Sequence, residues 1–400
     1  MSISSPAPQA GSTAPGGALA CRAVPFERIP RSAWQRLLEL TPAATPFARW
    51  SVHRAWWDAY GATAHDQYLV ALADSADPGG DADPDAIRAI VPLMHRHESE
   101  PQDAPTATVL RHAAPHEGTA VHPDAKAVFF GAAYHTDYAT VLCAADDLPA
   151  VARAITASLA GPPDPAHGSQ PWDVVDLRRL RTADPLLPAL EAAFREMAPQ
   201  AGWHVMREME DVCPVVDVAS ADWDEYLATL DKKDRHEIRR KLRRAEAAGG
   251  ISVRVDQPSG KDLARFIELH QARFGDDGLF PPTEGGRRSR RFIERLAELD
   301  ATEPDGGALR LADVLVGKRL VFSALAFDDG STCFLYNAGM DPTAGELSPG
   351  VIGTAAYIRD RLVAGRRRFD FLRGDEPYKY EWGARDDTIE RLLVMREGAT

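Results

Sequence analysis

Cysteine is scarce in this 400-residue chain: Cys21, Cys143, Cys213 and Cys333 stand far apart, with no CxxC pair among them. That spacing excludes a disulfide framework and a cysteine-based zinc site, and it fits a reducing cytoplasm. Long apolar runs are missing too, since no stretch approaches the ~18 residues that a membrane span needs. The histidines of the first half, His95, His97, His112, His116, His122 and His135, are dispersed, and neither HExxH nor a third ligand at metal spacing occurs. No metal is therefore expected. GxSxG, P-loop and Rossmann glycine patterns are likewise missing. Positive charge is in deficit, and a net charge of -13 argues against generic binding to DNA or to an anionic membrane.

What is present belongs to a folded chain. A hydrophobic fraction of 44% and a charged fraction of 26% are those of a globular protein. The length points to two domains, at roughly 100–200 residues each. The Ser, Pro, Ala and Gly of Met1 to about Ala20 read as a disordered tail, and Asp74–Ala86 (DSADPGGDADPDA) as a loop.

Helical spacing of apolar residues marks Ser32–Leu40, Trp50–Tyr60, Leu148–Leu159 and Leu187–Met197, with strands at Tyr68–Ala73, Ala89–Leu93, around Val128 and Tyr138, and at Trp172–Leu177. The second half begins near residue 201. It carries a strand at Ile251–Val255, helices at Lys261–Phe274 and Arg288–Leu299, and three strands in succession, Ala308–Val316, Arg319–Phe327 and Ser331–Met340. Gly317-Lys318 and Asp328-Asp329-Gly330 join those three into an antiparallel meander. A helix from Val351 to about Ala364 and strands at Arg367–Leu372 and Glu390–Met395 follow. A helix, a breaker and an Asp-bearing strand thus occur twice, as WDVVDL and RRFDFL, which suggests an internal duplication.

Two segments carry candidate chemistry. The loop DPTAGELSPG precedes a helix whose free N–H groups and dipole suit a phosphate; equally, Ser348 caps that helix and Pro349 opens it. The segment RRFDFLRGDEPYKYEWG gathers Asp370, Arg373, Asp375, Glu376, Tyr378 and Lys379 within ten residues. These are the types that acid–base and charge-stabilising chemistry needs, and also those of a solvated turn with one ion pair. A third element, Lys232–Gly250, holds eight Lys or Arg in its first thirteen residues around a narrow apolar stripe of Ile238, Leu242 and Ala245. It reads as a phosphate-facing or a solvated helix. His270, with Arg273 nearby, reads as a partly buried structural histidine or as one facing a cleft.

DFLRGDEPYKYEWG with the upstream SPG and helix resembles the CelD/BcsL-like acetyltransferases associated with bacterial cellulose biosynthesis and, more distantly, the Fem peptidyltransferases. TPFARWSVHRAWWDAYG, AIVPLM and WDVVDLRRL of the first half resemble the same family's first domain. The resemblance implies an α/β (α+β) fold of two tandem GNAT-like domains, each a mixed, largely antiparallel central sheet flanked by helices. The first, 21–200, would shape the acceptor site, and the second, 201–400, would carry the transferase. It further implies that the sheet splays between Ser331–Met340 and Arg367–Leu372 to admit an acyl thioester.

On that reading the activity is N-acyl transfer to an amine acceptor, a small molecule or glycan precursor. Acetyl-CoA or another acyl-CoA is the donor; SPGVIG stands where the usual acetyl-CoA signature would, which leaves an acyl carrier protein or aminoacyl-tRNA open. Asn337, Ser348, Gly350, Gly353 and Arg373 would bind the donor, and Arg235, Arg239, Asp375, Glu376 and Trp382 the acceptor. Asp370 would act as base or orienting group, Tyr378 as acid to the leaving thiolate, and Lys379, on an exposed loop, as charge stabiliser. A non-catalytic assembly module in polysaccharide biosynthesis is the alternative of a different class. The pattern sets no oligomeric state.

Overall fold

The computed structural model describes residues 18–73, 83–96, 107–108, 116–122, 124–163 and 171–397. Residues 1–17 of the expected tail and 74–82 of the expected loop lie outside them, and Leu19–Ala23 forms a strand. The fold is mixed α/β. One mixed sheet of eleven strands runs through both halves of the chain. Its order is Ile251–Asp256, Leu309–Val316, Arg319–Asp328, Thr332–Met340, Arg368–Asp370, Trp203–Asp217, Arg385–Arg396, Val174–Arg181, Ala127–Phe130, Leu93–Arg96 and Ala64–Asp66. A second, four-stranded sheet is built from first-half strands alone.

The meander forms where the turn residues allow it. Gly317 has φ +60°, which joins the first two strands, and Gly330 has φ +94°, which joins the next two. The Arg319–Asp328 strand is buried along nearly its whole length because helices cover both faces of the sheet. Helices Gly260–Phe274 and Glu284–Asp300, capped by Ser259 and Thr283, pack on one face around Phe266, Phe292, Leu325 and Phe334. Helices Lys232–Ala247 and Pro349–Val363 pack on the other around Ile352, Tyr357, Phe322 and Ala324. The halves share the first of these cores: Phe47 lies 5.1 Å from Phe327 and 6.1 Å from Tyr336, ring to ring.

Two elements depart from the sequence reading. Tyr138 lies outside regular secondary structure, and the strand forms at Leu142–Cys143 instead. The fifteen-residue strand Trp203–Asp217 has no alternating pattern to announce it, because Arg207, Glu208, Glu210 and Asp211 interrupt it and Pro214 would ordinarily exclude a central strand. Its charges are met by cross-strand partners: Arg207 pairs with Glu390 of the Arg385–Arg396 strand.

The repeated helix and Asp-bearing strand recur with the same neighbours. Val174–Arg181 pairs in parallel with Ala127–Phe130, with Asp176 opposite Phe129. Arg368–Asp370 pairs in parallel with Thr332–Met340, with Asp370 opposite Phe334. Each is flanked on its other side by an antiparallel long strand, and those two long strands pair with each other. The copies differ in what fills the gap beside the aspartate. In the first half Asp176 forms a bidentate pair with Arg391 at 2.7 and 2.8 Å, both side chains buried, and only about 20 Å³ stays open.

Removing one member of that pair strands the other in the interior, which typically costs about 3–5 kcal/mol. Asp176→Ala should therefore lower the unfolding free energy by about that amount in denaturant titration. An unchanged midpoint would show that Arg391 finds other partners, such as Glu208.

Candidate functional site

In the second half the corresponding gap is open. Strands Thr332–Met340 and Arg368–Asp370 pair over only three residues, Thr332 to Phe334 with Arg368 to Asp370, and then diverge. A bulge at Tyr336, where Leu325 faces Asn337 but Ala326 faces Leu335, bends the longer strand away. Between them lies a cleft of about 680 Å³.

The cleft passes through the sheet and touches both of its layers. Gly350, Val351 and Thr354 of helix Pro349–Val363 line it on one face, with Phe322, Ala338 and Met340. His270, Arg273 and Phe274 of helix Gly260–Phe274 line it on the other, with Asn337 and Tyr336. The first half contributes Tyr134 and Asp137. They belong to the segment after Phe130, in which Ala132 and Tyr134 hold positive φ of 60° and 79°. Non-glycine residues rarely adopt that conformation, and it is maintained here by the packing of the shared core.

The loop that follows strand Arg368–Asp370 is built by two side chains that the sequence reading assigned to chemistry. Asp370 is buried, accepts the Leu372 N–H at 2.8 Å and the Tyr138 hydroxyl at 2.7 Å, and does not line the cleft. Its first bond holds Leu372 at a left-handed φ of 57°. Burial pushes its carboxyl up to about 6 against the opposing pull of the Tyr138 and Leu372 hydrogen bonds. Lys379 was expected on an exposed loop, but its side chain is 3% exposed. The ammonium donates to the carbonyls of Leu372, Arg373 and Gly374 at 3.1, 2.6 and 2.9 Å and sits 2.8 Å from Glu376. Its three N–H groups are thus committed to the loop backbone.

Of the other expected residues, Asn337, Gly350, Arg373, Glu376, Tyr378 and Trp382 line the cleft together with Lys379. Arg373 is ion-paired with Asp137 across the two halves. Tyr378 is 46% exposed as a residue, but partial desolvation at the cleft wall and the charge of Glu376 push its phenol up to about 12, so it stays protonated at neutral pH. Ser348, Gly353, Asp375, Arg235 and Arg239 lie outside the lining. Ser348 makes no side-chain cap; it adopts φ 55° and its hydroxyl accepts from Arg244 at 3.1 Å. A Cβ at Gly353 would stand 2.2 Å from the Phe322 ring, so that glycine serves helix–sheet packing. Arg235 donates to the carbonyls of Ala228 and Leu230, and Arg239 pairs with Asp224.

Sequence reasoning passed over Tyr134 and Asp137, and it left His270, with Arg273 nearby, between facing the cleft and a structural role. His270 is buried, 2% exposed, yet it lines the cleft, and Nδ1 has no hydrogen-bond partner among the described residues. Burial, against a favourable Asn337 contact, holds its imidazole down to about 4, so it is neutral at physiological pH. The only available signal was the pairing of His270 with Arg273 at helical spacing near a helix end. Among the described residues no group of three His, Cys, Asp or Glu side chains could hold a metal, and no helix is long and apolar enough to cross a membrane.

Residues 232–380 match the family model described as Acetyltransferase (GNAT) domain. Among solved structures the chain is similar to a conserved protein of unknown function from Bacteroides thetaiotaomicron VPI-5482, at 11% identity over 93% of this chain and 100% of that one, with a TM-score of 0.54. It is also similar to FemX, at 10% identity over 91% of this chain and 96% of that one, with a TM-score of 0.53. At such identity the likeness is one of fold. No curated protein matches. The cleft-bearing part of the chain has a GNAT-type acyltransferase fold.

Lys379→Met removes the donor for the buried Leu372 carbonyl and the half-buried carbonyls of Arg373 and Gly374, and a buried carbonyl left unpaired costs about 1–3 kcal/mol. The variant should unfold at clearly lower denaturant, and an unshifted midpoint would mean that the loop holds without its ammonium. Asp370 supplies a pH test. Its folded carboxyl titrates near 6, above the ordinary 3.8, so the folded state holds a proton that the unfolded chain has released. Stability contributed by that proton is lost as pH rises through this window. The stability of the wild type relative to Asp370→Asn should therefore fall between pH 4 and 6 and level off above it; a difference independent of pH would show that Asp370 keeps its ordinary titration.

Proposed function

We propose that the chain transfers an acyl group from a thioester to an amine, with the thioester threaded through the gap in the sheet. The observation that carries this reading is the splay itself. Beyond Phe334 the inner edge of strand Thr332–Met340 has lost its neighbour, and Leu335 to Ala338 line the cleft. An extended, amide-bearing arm such as pantetheine can pair with such an edge as an added strand would. At the mouth, helix Pro349–Val363 turns its N-terminal end toward the same cleft through Gly350, and a helix N-terminus favours a pyrophosphate. Acetyl-CoA or another acyl-CoA is the donor that these two features fit.

The chemistry needs no covalent enzyme intermediate. The amine attacks the thioester carbonyl carbon, the C–N bond forms, the C–S bond breaks, and the departing sulfur takes a proton. Tyr378, protonated at neutral pH and on the cleft wall, donates that proton, and the proton that the attacking nitrogen gives up restores the phenol. Asp370 and Lys379 act one step removed, by fixing the loop that carries Phe371, Leu372 and Arg373 into the cleft. The acceptor is a small molecule or a glycan precursor, and cell-envelope or exopolysaccharide metabolism is the setting that its resemblances suggest.

One observation favours a second donor. Helix Lys232–Ala247 carries eight basic residues over 232–244, and Arg244 reaches Ser348 at the cleft mouth, so the acceptor end of an aminoacyl-tRNA would find a cationic approach there.

Gly350 distinguishes a ligand-binding mouth from a plain helix start. A Cβ there would meet only the flexible end of Met340, at 3.2 Å, so the fold tolerates a side chain that would fill the cleft. Gly350→Glu should weaken coenzyme A binding by about tenfold or more in calorimetry, through lost space and charge repulsion, with the melting temperature nearly unchanged. Equal affinity of variant and wild type would remove the donor site from this helix.

A further inference from the structure

The end of the cleft opposite the donor helix has a charge pattern of its own. Arg373 is paired with Asp137, and Lys379 with Glu376 and three carbonyls. Arg273 differs. It lines the cleft with its guanidinium 4.4 Å over the Phe274 ring and makes no hydrogen bond or ion pair among the described residues. Asp277 and Glu381 also line the cleft and are likewise outside any ion pair among those residues. His270, one turn before Arg273 on the same helix, adds the buried imidazole whose Nδ1 is unpartnered.

An imidazole nitrogen buried without a partner is costly unless a ligand completes it, and Arg273, exposed on the cleft wall, is a cation free to take its counter-ion from one. The sheet separates these groups from Gly350: His270, Arg273 and Asn337 stand on the face of helix Gly260–Phe274, whereas the donor's phosphates would stand on the face of helix Pro349–Val363. The ligand they await is therefore the acceptor rather than the donor. Unpaired groups of both signs call for a molecule that carries both.

We propose that the acceptor is a compact zwitterion, an amine bearing a carboxylate or phosphate close by, with the oxyanion held by Arg273 and the free amine hydrogen-bonded to His270. This rests on the acyl-transfer reading for the word acceptor, but the recognition itself does not. A neutral imidazole accepts an N–H without repelling it. Asp277 and Glu381 favour the protonated amine at entry, and Arg273 discriminates for the anion by a charge-assisted bond.

Matched pairs test it: the common L-amino acids against their amides, and phosphoethanolamine against ethanolamine, titrated into the full chain with coenzyme A present. The anionic member of at least one pair should bind about tenfold or more tightly. Arg273→Gln should erase that preference, and Arg273→Lys should keep part of it. Preference confined to the first set identifies a carboxylate, and preference confined to the second a phosphate. No preference in any pair, or one that survives Arg273→Gln, overturns the proposal. If the preference holds while no acyl thioester binds, the zwitterion site stands and the transferase reading falls.

Discussion

The open site depends on one buried ammonium. After Asp370 the chain must leave the sheet, or strand Arg368–Asp370 would continue beside Thr332–Met340 and close the gap. It leaves through a left-handed Leu372 and a left-handed Gly374, at φ 57° and 99°. Those conformations turn three successive carbonyls inward, and Lys379 collects all three. Without a cation in that position the carbonyls would face a buried space without donors, and the extended strand would be the lower state. Glu376 balances the charge, and a Cβ at Gly374 would collide with that carboxylate at 2.7 Å. The sequence RGDEPYK is thus one structural unit, with the glycine, the glutamate and the lysine each required by the others.

This explains what could be read from the residues and what could not. The meander and the helices were legible because glycine turns and apolar periods act locally. The segment of the cleft was legible too, since it collects polar types beside a glycine. The roles within it were hidden, because the partners of Asp370 and Lys379 are backbone groups and a tyrosine 232 residues distant. Spacing cannot distinguish an ammonium aimed at substrate from one aimed at carbonyls. Trp203–Asp217 was hidden for the opposite reason: its polar residues are satisfied by distant groups, Arg207 by Glu390, Glu208 by Arg391 and Thr119, and Glu210 by the Arg179 N–H.

The same logic separates the two halves. Both contain a helix, a parallel strand and an aspartate opposite a phenylalanine. In the first half strand Ala127–Phe130 stops at Gly131, where a Cβ would stand 2.8 Å from the Tyr68 hydroxyl, and the chain crosses toward the other half. There Tyr134 and Asp137 become walls of the second half's cleft. The aspartate left behind is bound by Arg391, from the strand Arg385–Arg396 that the second half inserts beside it.

Each half therefore supplies what the other's gap requires. The second half's last strand brings Arg391 to close the first gap, and the first half's loop brings Asp137 to pair with Arg373 at the rim of the second. The exchange has a geometric consequence. Because strand Arg385–Arg396 pairs with Val174–Arg181 of the first half at six registered positions and with Trp203–Asp217 of the second at twelve, the halves cannot hinge apart at that seam without breaking a backbone ladder. Motion that admits a ligand must then arise in the segments lining the cleft. The segment over His270, where Gly278 lies so close that a Cβ would stand 2.5 Å from the ring, is bound to the sheet by no ladder and is the part of the wall free to yield. A rigid seam with a yielding wall places any adaptation to a ligand on the side of Arg273 and leaves the side of Gly350 fixed.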